Sequence, residues 1–503
     1  KCGALGKAQQ VLHMLPVRDI VTWSTLISGY TQDGRAHEAL NCFIQMQKDG
    51  LSPNEVTFIS VLKACGSIGA IDKGKHIHKE IVGRGYLKQN MMLGNALVDM
   101  YVKCGMLSKA RDVFDKLPQH DVVSWNALIT GYSDHECGEE ALYCLEKMKV
   151  ENISPNAITF TGCLKACGTM RDIDKVRELH QEVKTKGLLK RDPILGSTLV
   201  ATYAKCGSLA KAQEVFSTLP IQDAVAWTAL ISGFVQHNCC EEALKWFLEM
   251  KCNGILPDAV TYTCILKACG SIGARDKGIE IHNEIIKEEL LLHMEKNLGN
   301  ALVDMYAKCG MLAKAQEVFD SISVHDMITW TALITGYAQL GEIKEAILTF
   351  GKMVGEGYKP NSVTFLSILV ACDNAGFVEQ AHIWFDVMSE EYGITPILDH
   401  HTCMVDILAR AGQLDRAVAL AGKAPFSPNI VMWLTVLGAC RKWGNLHLAR
   451  GVFQHVVQLD EMDASAYVCM ANIYVDAGMQ EDANMVEAMM PQKVAYKGLD
   501  VYL

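Results

Sequence analysis

Apolar side chains recur through most of this chain with a period near that of a helix. In residues 20–34, Trp23, Leu26, Ile27 and Tyr30 fall at i, i+3, i+4 and i+7, the stripe that one buried helix face produces. Gly34 stands where such a helix should stop. A second stripe follows at Ala36, Ala39, Leu40, Phe43 and Met46, and Gly50 and Pro53 close it. Glycine can take the left-handed turn after a helix, and proline cannot continue one. No segment sustains the alternation of a half-buried strand, so the pattern predicts helical hairpins without a sheet.

The hairpins repeat. Trp23, Trp125, Trp227, Trp330 and Trp433 are separated by 102, 102, 103 and 103 residues. Cys65, Cys167 and Cys269 of "KACG", with Cys372 of "VACD", keep that spacing, as do Cys2, Cys104, Cys206 and Cys309 of "KCGxLxKA". Each long period divides into three related units of about 35, 36 and 31 residues. The predicted units are 20–54, 55–90, 91–121, 122–156, 157–192, 193–223, 224–258, 259–295, 296–326, 327–361, 362–397 and 398–429. A partial unit (1–19) precedes them and a related segment (430–503) follows. Periods of this size mean stacked supersecondary units. The expected fold is all-α, a right-handed superhelical α-solenoid of helix-turn-helix repeats with its concave face free to bind.

Composition narrows the chemistry. The 503 residues carry a formal charge of −10, which any nucleic-acid reading must accommodate. No apolar run approaches the length of a membrane span. The 19 cysteines, odd in number and scattered through helical pattern, point to a reducing interior and not to a disulfide framework. "GAIDKGKH" (69–76) resembles a phosphate loop but lacks its closing Ser or Thr and any preceding strand. His78, His180 and His282 each open an H-x-E, yet no C-x-x-C accompanies them, so they are expected to pack helices and not to hold zinc. Without a nucleophile–base pair or a metal cluster, no catalytic residue, metal site or cofactor is expected, and the chain reads as a non-enzyme. The chain starts inside a unit, with no Met and no targeting signal, so further residues are expected upstream.

The triplet of 35, 36 and 31 residues, with "VSWNALITGY", "LKACG", "GKHIHKEI" and "LGNALVDMYVKCG", closely resembles plant pentatricopeptide-repeat proteins of the PLS subclass. Tetratricopeptide repeats are the rival, but theirs is a W-x-x-L-G-x-x-Y pattern, whereas this chain has W-x-x-L-I-x-G-Y.

Helical geometry points to a reading face independently. With the residue after Trp numbered fifth, positions two, five, nine and thirteen fall within about 80° of one another. Position two is aliphatic at Val21, Val56, Met92, Val123, Ile158, Ile194, Val225, Val260, Ile328 and Val363. Position thirteen of the short units is Lys103, Lys205, Lys308 or Arg410. One face thus offers an apolar clamp for a base, a small polar reader at position five and a cation for phosphate, which is what single-stranded RNA requires. A solvated groove that merely tolerates polar residues, or a peptide-binding scaffold of tetratricopeptide type, would account for the same face less fully. The last residue of each readable unit is Asp or Asn, and only the latter can donate, although a turn position favours both.

The resemblance implies that the fifth and last residues of a unit choose one base together. Carried over, Ser24 with Asn54 reads A, Asn95 with Asp121 reads U, and Asn126 with Asn156 reads a pyrimidine. Ser197 with Asp223 and Thr228 with Asp258 read G, Asn300 with Asp326 reads U, and Thr331 with Asn361 and Thr402 with Asn429 read A. Among the 36-residue units only Thr161 with Asp192 gives a readable pair, for G; Ile59 with Asn90, Thr263 with Glu295 and Leu366 with Ile397 do not. The implied partner is RNA like 5′-A-n-U-Y-(G)-G-G-n-U-A-n-A-3′. Asn297 and Asp399 interrupt the aliphatic clamp. Residues after Asn429 resemble an E-type extension, with "KVAYKGLDVYL" in place of its usual ending and no deaminase following. That implies a mitochondrial or chloroplast site-recognition factor for C-to-U editing acting with a deaminase-bearing partner, the alternative being RNA stability, splicing or translation.

Overall fold

The computed structural model describes residues 5–15, 18–88, 90–287, 296–322, 325–423 and 430–490. These form 29 α-helices and two short 3-10 turns, with no strand among the described residues. The chain divides into two compact units, Lys1–Pro257 and Asp258–Leu503, each a stack of helical hairpins in which the first helices of successive hairpins lie side by side.

The hairpin beginning at Ile20 shows how the sequence produces the repeat. Its first helix, Ile20–Gln32, starts at the N-cap Asp19, whose carboxylate accepts from Thr22 N–H, satisfying one of the donors a helix start leaves unpaired. Trp23, Leu26, Ile27 and Tyr30 are buried. Gly34 takes φ +76° and turns the chain into Ala36–Lys48, where Ala36, Ala39, Leu40, Phe43 and Met46 are all buried. Segment 430–490 continues in kind, with hairpins Ile430–Lys442/Leu446–Leu459 and Ala464–Asp476/Gln480–Ala488. The last residues, 491–503, which include "KVAYKGLDVYL", lie outside the described residues.

Glycine before the aromatic of W-x-x-L-I-x-G-Y has a packing reason. A Cβ at Gly233 would lie 2.4 Å from Ala204 Cβ, and one at Gly336 would lie 2.5 Å from Ala307 Cβ. Both obstacles are fixed to a neighbouring helix, so only the helix itself can give way. Overpacking of about 1–3 kcal/mol outweighs the gain of about 1 kcal/mol from alanine's helix propensity. Gly233→Ala is therefore expected to lower the urea or thermal midpoint. Gly351, in helix Ile343–Gly355 with nothing within 4 Å of its Cβ position, should show the opposite sign when replaced by Ala.

The phosphate-loop resemblance resolves into a turn: Gly69 takes φ +65° and leads through Ala70 into helix Ile71–Gly83. His78, His180 and His282 hydrogen-bond Tyr101, Tyr203 and Tyr306 at 2.8, 3.0 and 2.7 Å. Burial pushes all three imidazoles below their usual pKa, which suits neutral packing groups. The "KACG" cysteines Cys65 and Cys167 are fully buried, and burial raises their thiols to about 11 and about 12. No group of His, Cys, Asp or Glu that could hold a metal is found among the described residues, and no described helix is long and apolar enough to cross a membrane.

Candidate nucleic-acid interface

Within each compact unit a row of aliphatic side chains stands in solvent on the first helices of the hairpins. Val21, Val56, Met92, Val123, Ile158, Ile194, Val225, Val260, Ile328 and Val363 are each 53–69% exposed. Each occupies the second position of its unit. Single exposed aliphatics need no explanation, but the same position exposed in ten units marks a surface built to meet something. Asn297 and Asp399 are exposed at this position too.

Beside this row lie the fifth residues. Ser24, Asn95, Asn126, Ser197, Thr228 and Asn300 are 4–8% exposed, while Thr331 and Thr402 are half-buried. Where it is described, the last residue of a unit proves to be the N-cap of the next helix. Asn54, Asp121, Asn156, Asp223, Asp258, Asp326 and Asn361 accept from the backbone N–H of Thr57, Ser124, Thr159, Ala226, Thr261, Thr329 and Thr364. Asp or Asn here is thus needed by the helix itself. The turn preference noted in the sequence was the weaker of two structural reasons. An Asp/Asn-x-x-Ser/Thr spacing carries this signal.

In several units the cap also touches the fifth residue of the preceding hairpin. Asn95 Nδ2 donates to the Asp121 carboxylate at 3.1 Å, and Asn126 Nδ2 to Asn156 Oδ1 at 3.1 Å. Asn300 Nδ2 reaches both Asp326 oxygens at 3.2 and 3.1 Å, and Ser24 Oγ lies 3.4 Å from Asn54 Oδ1. Thr331 and Asn361 are joined through Thr364, at 3.3 and 2.9 Å. Ser197 instead donates to Ile194 O at 3.1 Å, and Thr402 to Leu398 O at 3.0 Å. Thr228 and Asp258 fall in different compact units. Asn429 and Glu295 lie outside the described residues.

The thirteenth residues are mostly neutralised. Lys103 pairs with Asp99, Lys308 with Asp304 and Arg410 with Asp406, at 2.7–2.8 Å and i,i+4 spacing. Lys205, with Ala201 in the acid's place, has no ion pair among the described residues. The sequence reading missed three other cations, Lys63, Lys165 and Lys267 at position nine of the 36-residue units. They were legible as the Lys of "LKACG". In the first compact unit, Lys63 lines a groove of about 460 Å³ with Met92, Asn95, Asp121, Val123 and Asn126. In the second, Lys267 lines one of equal size with Val260, Asn300 and Ile328. Exposed aliphatics, a polar fifth residue and a cation thus line each of these grooves between neighbouring hairpins.

Burial alone would raise the Asp326 carboxyl, but hydrogen bonds from Thr329 N–H, the Asn300 amide and the Thr329 hydroxyl outweigh it and hold its pKa below the ordinary value. A carboxylate lowered in the folded state stabilises above its unfolded pKa, and that contribution vanishes as pH falls through the folded value. Asp326→Asn keeps the cap and removes the titration. The variant's unfolding midpoint is expected to change less than the wild type's as pH drops below about 4.

Sequence signatures of the PPR repeat family match residues 18–67, 120–169, 222–271 and 325–374. Those of the PPR repeat match 95–122, 158–188, 260–290 and 300–326. A mitochondrial pentatricopeptide repeat-containing protein of Arabidopsis thaliana is 35% identical over 493 residues, covering 98% of this chain and 71% of that protein. A chloroplastic one from the same plant is 33% identical over 492 residues, covering 98% of this chain and 56% of its own length. The chain thus spans between about half and three quarters of these relatives. The crystal structure of the maize pentatricopeptide repeat protein PPR10 superposes with a TM-score of 0.52 at 18% identity, covering 97% of this chain and 82% of that one. Its complex with an 18-nucleotide psaJ RNA element gives 0.55 at 17% identity, with coverages of 97% and 87%. The fold is therefore a helical-repeat solenoid, and this chain belongs to the pentatricopeptide-repeat family.

Proposed function

We propose that the chain binds single-stranded RNA in a sequence-specific way, one base per unit, each base held between exposed position-two side chains and read by the fifth and last residues. The observation that carries this is the exposure of ten aliphatics at one position, five of which line grooves with the buried Asn95, Asn126 or Asn300. A peptide scaffold has no use for a pair that varies from unit to unit. The maize neighbour's RNA complex supports the same ligand class. The unit lengths of 35, 36 and 31 residues and the segment after Asn429 favour a PLS-type array with an E-type extension. Such a chain would act as a C-to-U editing factor recruiting a deaminase in trans, in the mitochondrion or chloroplast where its relatives are named.

The test is a binding titration of 5′-A-n-U-Y-(G)-G-G-n-U-A-n-A-3′ against a scrambled twelve-mer. Tighter binding of the first is expected, and equal weak binding would sink the proposal. Because Lys103, Lys308 and Arg410 already have acidic partners, few phosphate charges should be neutralised on binding. Each such contact contributes roughly −0.7 to the slope of log K against log salt. The expected slope is shallow, about −1 to −3; a value of −6 or steeper would place the phosphate backbone, not the bases, at the centre of binding.

A further inference from the structure

At four interfaces a third side chain touches the fifth residue. The third residue of the following unit is Thr57, Thr159, Thr329 or Thr364 at four interfaces, Ser124 at another and Ala226 at another. The five that bear hydroxyls are fully buried. Thr159 Oγ1 donates to Asn126 Oδ1 at 2.6 Å and Thr329 Oγ1 to Asn300 Oδ1 at 2.7 Å, each hydroxyl sharing its one proton with the cap oxygen of Asn156 or Asp326 at 3.1 and 2.8 Å. Thr57 Oγ1 lies 2.7 Å from Ser24 Oγ, and Thr364 Oγ1 lies 3.3 Å from Thr331 Oγ1. Beside Ala226, which offers no hydroxyl, Ser197 donates to its own helix at Ile194 O, as Ser24 also does at Ile20 O.

Ser124 behaves differently. Its hydroxyl donates to the Asp121 carbonyl oxygen at 2.8 Å and accepts from Asp121 N–H at 2.8 Å. Asn95 Oδ1 is left buried with no protein partner. Asn95 and Asn300 face the same kind of carboxylate, so their N–H ends must point at it, since two acceptors would repel. The oxygen end of Asn300 is then held by Thr329, and a flip of the amide breaks hydrogen bonds at both ends. The oxygen end of Asn95 is held by nothing, and an unsatisfied buried acceptor seeks a donor.

We propose that a threonine at the third residue of the following unit is a positioning residue for base selection, and that Asn95, which faces Ser124 instead, discriminates less sharply than Asn300. The inference rests on the RNA reading above. Uracil presents a carbonyl at the edge position where cytosine presents an amino group. Held only through Nδ2, the Asn95 amide can turn its Oδ1 toward that amino group, whereas the same turn at Asn300 also breaks the hydrogen bond from Thr329. The U-over-C preference should therefore be lower at the base facing Asn95.

The experiment uses the full chain and twelve-mers with U or C at the third base, facing Asn95, or the ninth, facing Asn300. Wild type is first compared on cognate and scrambled RNA; no preference there overturns the RNA reading itself. Given that preference, the U:C affinity ratio is expected to be about 2- to 10-fold higher at the ninth base than at the third, the worth of one hydrogen bond. Thr329→Val should collapse the ratio at the ninth base, and Ser124→Thr should raise it at the third. Ser124→Ala should lower the unfolding midpoint through the lost capping box yet leave the ratio at the third base unchanged. Equal wild-type ratios at the two bases overturn the inference. So does a Ser124→Thr variant that folds and binds with its ratio unmoved, a result that does not depend on whether Thr329→Val folds.

Discussion

Asn361→Asp, with Thr331 left in place, is expected to exchange a preference for A at the tenth base of the twelve-mer for a preference for G. The substitution is close to neutral for folding, because Asn361 accepts from Thr364 N–H at 2.9 Å through Oδ1 and a carboxylate accepts there equally well. What changes is the half of the side chain left for the base. Asn361 Nδ2 donates, and the Watson–Crick edge of adenine offers an acceptor at N1. Asp offers only acceptors, and guanine presents N–H donors at N1 and N2. A wrong base at such a site costs roughly 1–3 kcal/mol, so the A:G affinity ratio should move about 5- to 150-fold in each direction. Paired titrations with A and G at that base, for both proteins, measure it. If the ratio stays put while the variant folds, Asn361 is a helix cap only.

That alternative shows why the fold could be read from this sequence further than the site. The hairpins follow from single-helix periodicity, and Trp23, Leu26, Ile27 and Tyr30 are buried as their spacing predicts. The reading pair depends on the junction between helices, where one side chain does two jobs. Asp326 caps Met327–Gln339 and also receives the Asn300 amide from the previous hairpin, and no single-helix pattern expresses the second contact. The charge balance at position thirteen has a local cause. Asp99 and Asp304 stand four residues before Lys103 and Lys308 and pair with them, a spacing that pairs charges on any helix. Under the proposed RNA reading, the negative charge at those positions lowers the electrostatic share of binding and leaves the bases to supply it.

The aliphatic row is where that share has to come from. Replacing Val123, Ile158 and Ile194 together by Ser is therefore expected to weaken binding of the cognate twelve-mer by about 100-fold, taking roughly 1 kcal/mol per clamp, the lower end of base stacking on aromatic platforms. Stability should hardly move. These side chains are 59%, 58% and 66% exposed, surface changes usually fall within about 0.5 kcal/mol, and Ser and Val have similar helix propensity. Loss of binding without loss of fold is the signature of a surface kept apolar for a ligand. Replacing the same three by Met, the residue that already stands at position 92, keeps an apolar clamp and should restore most of the affinity. If the Ser variant binds as wild type does, the bases are not held between these residues, and the row covers something other than RNA.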